Sequence, residues 1–61
     1  MKLKEFRKRK NLSQEAFAKS IGYTLSMVAK VETGKTKASR NFIDKTKMAY
    51  PDLNINEVFF T

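Results

Sequence analysis

Apolar residues fall in small groups three or four positions apart, separated by short polar breaks. In "KLKEFRKRK" (residues 2–10) Leu3 and Phe6 share one helical face, and Arg7 lies beside them at i+4 from Leu3. The other positions are charged, and the basic residues near the end suit the negative end of a helix dipole. Asn11 stands where this helix stops, a residue type that tolerates the left-handed conformation, and Leu12 follows as an apolar contact. Ser13 then opens a second helix as its N-cap, with Gln14 and Glu15 in the first turn and Phe17, Ala18 and Ile21 as its apolar stripe. Gly22 ends it. Tyr23 and Thr24 form the connection, and Thr24 caps a third helix in which Val28 and Val31 look inward. Leu25, Ser26, Ala29 and Lys30 fall on its other faces, and Gly34 stops it.

A polar, basic stretch "KTKASR" follows. A fourth helix begins near Ser39, with Phe42, Ile43, Thr46, Ala49 and Tyr50 as its inward positions, and Pro51 prevents its continuation. Asn54, with Glu57 three residues on, resembles a capping box, and Ile55, Val58 and Phe59 supply the face of a last short helix. There is no strand alternation, repeat, low-complexity tract or linker. The expected fold class is all-α: a compact bundle of five short helices forming one domain over residues 1–61.

Composition narrows what such a bundle can do. At 61 residues the chain has no room for a deep cleft between lobes. Cysteine and histidine are both absent, which removes disulfides, thiolate metal sites, and the usual zinc ligand and neutral-pH general base. The acids Glu5, Glu15, Glu32, Asp44, Asp52 and Glu57 are scattered without the pairing that acid–base chemistry needs. No enzyme activity, metal or cofactor is expected. Thirteen Lys and Arg against six acids give a net charge of +7, which attracts polyanions, nucleic acid first and an anionic membrane second. No apolar run approaches membrane-spanning length and no signal-peptide pattern appears, so the cytoplasm is the expected location.

The residues then carry a resemblance. Helix, Gly-x-x, helix is the helix-turn-helix arrangement, and "SQEAFAKSIGYTLSMVAKVETGK" resembles the family containing the repressor and Cro proteins of lambdoid phages and many bacterial regulators. "LKEFRKRKNLSQ" is similar to the family's first helix and the entry to its second, "GKTKASR" to the basic loop after the recognition helix, and "INEVFF" to the closing helix. The resemblance covers nearly the whole chain. It implies the lambda-repressor-like DNA-binding fold, with the third helix entering the major groove of double-stranded DNA.

By that resemblance Thr24, Leu25, Ser26 and Lys30 face base edges, while Gln14, Lys35, Lys37, Arg40 and Asn41 hold phosphates. Lys30 has a base edge, a phosphate or solvent open to it. Leu25 departs from the polar or basic residue of many relatives and offers only apolar contact, such as with a thymine methyl. Met27 also replaces a commoner small or polar residue, with packing at the helix edge as its alternative. Arg7 and Glu32 match a family ion pair that orients the recognition helix; the competing view is two independent surface charges. Ala18, Gly22, Val28 and Val31 shape the site without touching DNA, and Lys8, Arg9 and Lys10 steer DNA from a distance or solubilise. The resemblance further implies a homodimer on a near-palindromic operator, weak in solution and strengthened on DNA, with Phe60 facing the twofold partner and repression as the outcome. An antitoxin-like or other protein-interaction module on the same fold is the alternative function. A peripheral membrane binder is disfavoured, because the apolar faces are needed for a core.

Overall fold

The computed structural model describes residues 2–60. Five helices follow in order: α1 (Leu3–Arg9), α2 (Gln14–Ile21), α3 (Leu25–Glu32), α4 (Arg40–Ala49) and α5 (Ile55–Phe59). There is no strand among the described residues, and the architecture is the all-α bundle of five short helices that the pattern of the chain predicts.

Local chemistry sets the helix boundaries. Four helices start on a side chain that accepts a hydrogen bond from the backbone N–H three residues on: Ser13 from Ala16 (3.0 Å), Thr24 from Met27 (3.2 Å), Ser39 from Phe42 (3.1 Å) and Asn54 from Glu57 (3.0 Å). Each satisfies an otherwise unpaired donor and is worth about 1 kcal/mol. α1 has no side-chain cap. Its entry is fixed from outside, by Lys2 N–H donating to the Val58 carbonyl of α5 at 2.7 Å.

The first three helices end alike. Asn11, Gly22 and Gly34 have φ values of 57°, 77° and 80°. At each end the left-handed residue and its successor return N–H groups to the helix. Asn11 and Leu12 reach Lys8 and Arg7, Gly22 and Tyr23 reach Lys19 and Ala18, and Gly34 and Lys35 reach Val31 and Lys30. This double closure satisfies terminal carbonyls and turns the chain sharply. At Gly22 a Cβ would meet only the Lys45 Nζ at 3.7 Å, so conformation rather than space demands glycine there.

The core gathers Leu3 and Phe6 from α1, Phe17, Ala18 and Ile21 from α2, Val28 and Val31 from α3, Phe42 from α4 and Val58 and Phe59 from α5. Ala18 is fully enclosed, and α2 packs most extensively against α3. A larger side chain there would overpack the crossing. Thr46 is also fully buried, its hydroxyl donating to the Phe42 carbonyl at 2.7 Å.

Two positions depart from the helical pattern. Ala49, expected to face inward, is exposed. It is the last residue of α4, where the helix runs past the edge of the core, whereas Tyr50, also expected inward, does reach it: its ring stacks on Phe17 (5.6 Å between centroids) and meets Phe6 edge-on (5.7 Å). Leu53, which has no helical periodicity to mark it, is 1% exposed. Its loop is held by Lys47, whose Nζ donates to the carbonyls of Pro51 (2.7 Å) and Leu53 (2.6 Å). Lys10 Nζ donates to Asp52 in the same loop at 2.5 Å, joining it to the end of α1.

Two measurements probe these features. Gly22→Ala is expected to destabilise the fold by about 1–2 kcal/mol in urea unfolding, and Gly22→Asn by less, because alanine resists the left-handed conformation more than asparagine does. The hydrogen bond from the Lys10 ammonium lowers the Asp52 carboxyl below its ordinary 3.8. A lowered folded-state pKa gives stability that is present above the unfolded value and lost as pH falls through the folded one. Wild type should therefore exceed Asp52→Asn in stability near neutral pH, and the difference should close in acid.

Candidate nucleic-acid interface

α2 and α3 are joined by Gly22, Tyr23 and Thr24, and the turn is braced from α4. The Tyr23 ring lies 4.9 Å from that of Phe42, Asn41 Nδ2 donates to its hydroxyl at 2.7 Å, and Lys45 Nζ sits 5.6 Å over its face. Lys45 carries no signal in the sequence that singles it out; only the packing of α4 against α2 brings it to the turn. Asn41 thus uses its amide nitrogen on Tyr23.

Val28 and Val31 anchor α3 with 0% and 1% exposure. Its other side presents Leu25, Ser26 and Lys30, with Ser26 and Lys30 one turn apart and both exposed. Thr24 is exposed as well, and its Oγ1 is engaged in capping α3. Met27 is half-buried and packs against the core. At the far end the Thr33 hydroxyl donates to the Ala29 carbonyl at 2.9 Å.

The orientation of α3 is held by a buried polar cluster. Arg7 Nε donates to Glu32 Oε2 at 2.8 Å, and Arg7 Nη2 to Oε1 at 3.2 Å. The side chains of Arg7 and Glu32 are 9% and 2% exposed. Arg7 Nη1 donates to the Leu12 carbonyl at 2.7 Å, and Gln14 Nε2 to Glu32 Oε1 at 3.1 Å. The cluster joins the segment after α1, the first turn of α2 and the last turn of α3. It also neutralises a carboxylate at the negative end of the α3 dipole, where acid is unfavourable. Gln14 is half-buried here, with one amide hydrogen committed to Glu32 and the other left over. Among the described residues no buried side-chain N or O atom lacks a partner.

Basic side chains follow α3. Lys35, Lys37 and Arg40 are exposed, and the Arg40 Nε lies 4.0 Å from Asp44 one turn on, a solvent-screened pair that leaves the guanidinium accessible. The basic run at the end of α1 is partly paired. Arg9 reaches Glu57 at 4.0 Å and Lys10 reaches Asp52, while Lys8 is exposed. Among the described residues no cluster of His, Cys, Asp and Glu could hold a metal ion.

Breaking a buried, hydrogen-bonded ion pair from one side leaves an uncompensated charge. Arg7→Met and Glu32→Gln are each expected to cost about 3–5 kcal/mol, on the scale of the whole stability of so small a domain. The double variant should lose less than the sum of the two, read from urea midpoints in a double-mutant cycle; additive losses would show the two side chains to be uncoupled.

The geometry has a counterpart among known families. A helix-turn-helix family model matches residues 3–45, from the start of α1 into α4 and through both helices of the motif. Searches of the curated proteins and of the solved structures gave no match. No helix among the described residues is long and apolar enough to cross a membrane. With the matched segment covering well over half of its length, the chain belongs to the Cro/C1-type helix-turn-helix family of DNA-binding transcriptional regulators.

Proposed function

We propose that residues 1–61 act as one sequence-specific DNA-binding domain, in the cytoplasm, that represses transcription by occupying an operator. The observation that carries this reading is the two-sided character of α3: an inner side locked by Val28, Val31 and the Glu32–Arg7 pair, and an outer side free to meet a groove. Seated in the major groove, α3 brings Thr24, Leu25, Ser26 and Lys30 to base edges. Ser26 donates to or accepts from a base, and Lys30 donates to guanine O6 or N7. Thr24 contributes through its methyl group and hydroxyl hydrogen, since its oxygen caps α3.

Phosphates are held on either side of that helix. Gln14 uses the amide hydrogen not committed to Glu32, together with the backbone N–H groups that open α2. Lys35, Lys37 and Arg40 grip the backbone beyond α3, and Asn41 joins them with the atoms that Tyr23 leaves free. Arg7 and Glu32 act by holding α3 at its angle and do not touch DNA.

One α3 reads half a site, so the operator is a near-palindrome with half-sites about one helical turn apart, read by a homodimer that is weak in solution and strengthened on DNA. The surface for the second copy is the groove of about 270 Å³ lined by Lys37, Ala38, Ile43, Phe59 and Phe60. Phe60 leaves 68% of its surface exposed there.

Selection of bound duplexes from a random pool tests the reading directly. The expected product is a near-palindrome; recovery of no motif would refute sequence-specific recognition. On the selected duplex, Lys35→Ala should weaken binding alike on matched and mismatched sequences and reduce the steepness of its salt dependence by about one released counterion per half-site. Lys30→Ala should instead relax preference at one base pair of each half-site, at a cost of about 1–3 kcal/mol.

A further inference from the structure

Leu25 is the first residue of α3 and leaves 46% of its surface exposed. Among the described residues only Met48 and Phe60 are large apolar side chains left as open. Its neighbours are otherwise occupied. Thr24 Oγ1 is committed to the Met27 N–H, and Met27 itself packs on the core. The first turn of α3 therefore presents one apolar side chain outward, Leu25, beside the small hydroxyl of Ser26. It does so on a chain of net charge +7, with Lys30 one turn beyond Ser26.

A leucine has no donor or acceptor. In the major groove each base pair shows hydrogen-bonding groups, and one apolar feature, the C5-methyl of thymine, stands among them. Leucine can favour that methyl and nothing else on the edge. The C5 position of cytosine lies at the corresponding place on its ring, and a methyl group there offers the same apolar surface. Leu25 has no means of distinguishing the O4 of thymine from the N4 amino group of 5-methylcytosine.

We propose that Leu25 reads the C5-methyl of a pyrimidine, so that the protein favours thymine over uracil, and 5-methylcytosine over cytosine, at one position of each half-site. The inference rests on the reading of α3 as the base-facing helix. Its consequence is a regulator whose grip on an operator with cytosine at that position tightens when the cytosine carries a C5-methyl.

The experiment uses the duplex recovered from the random pool. Each thymine is replaced in turn by uracil, which removes one methyl and keeps the paired adenine. At one position per half-site the wild-type protein should lose about fourfold in affinity per methyl removed, the ratio that burial of one such group supports. At that position a 5-methylcytosine–guanine pair should bind about fourfold more tightly than a cytosine–guanine pair. Leu25→Ala, a substitution that favours helix and opens no core cavity, should erase both ratios while leaving the thermal unfolding midpoint close to that of wild type. A recovered motif with no methyl-sensitive position, or one whose sensitivity persists in Leu25→Ala, overturns the assignment of Leu25 and leaves the DNA-binding reading intact. Failure of the pool to yield any motif overturns both.

Discussion

The buried contact between Arg7 and Glu32 is the constraint around which the rest of this small bundle is arranged. With little core to spare, the chain places two full charges out of water, and such a pair is tolerable only when nearly every hydrogen-bonding position is used. Arg7 spreads its guanidinium over both Glu32 oxygens and the Leu12 carbonyl, and Gln14 adds a donor to the carboxylate. The partners come from α1, the break after it, the start of α2 and the end of α3. An apolar contact would tolerate sliding between these segments. A two-pronged salt bridge with fixed donor directions does not, and so it holds the angle at which α3 is presented.

The turns work toward the same end by local means. Asn11, Gly22 and Gly34 close α1, α2 and α3 within two residues of each helix's end. The side chains of Ser13, Thr24 and Ser39 cap the helices that follow these stops, and that of Asn54 caps α5. Helices of five to ten residues are too short to be stable alone. They persist here because their ends are satisfied and their apolar faces meet in one core. The outward side of α3, with Leu25, Ser26 and Lys30 exposed, is thereby left open to a partner.

Charge is distributed to match. Several acids are drawn toward a base: Glu32 to Arg7, Asp52 to Lys10, Glu57 to Arg9, Asp44 to Arg40 and Glu15 to Lys19. The exposed pairs contribute little to stability. They nevertheless place acid beside the basic end of α1, while Lys30, Lys35 and Lys37 stand exposed on and just after α3. Lys10 and Lys47 illustrate the other use of a lysine. Both serve the loop carrying Leu53, so a basic residue count alone overstates what is available to a polyanion.

The five helices, their caps and their left-handed stops were legible in the sequence, because each depends on residues within about five positions of one another. The pairing of Arg7 with Glu32, 25 positions apart, was suggested by family resemblance rather than by spacing, since no local rule links residues so distant. Leu53 and Ala49 show the limit of periodicity: burial depends on what lies opposite, and of the two residues the pattern turned inward at the end of α4 only Tyr50 meets the core. The bracing of Tyr23 by Asn41 and Lys45 likewise arises only when α4 closes on the motif, and the attachment of Gln14 to Glu32 only when α2 and α3 pack together. The sequence by itself determined where helices begin and end and which face of each is apolar, because capping, φ preference and helical spacing are short-range. Tertiary structure alone decided that Arg7, Gln14, Asn41 and Lys10 are already committed to a partner, because those contacts run between segments far apart along the chain.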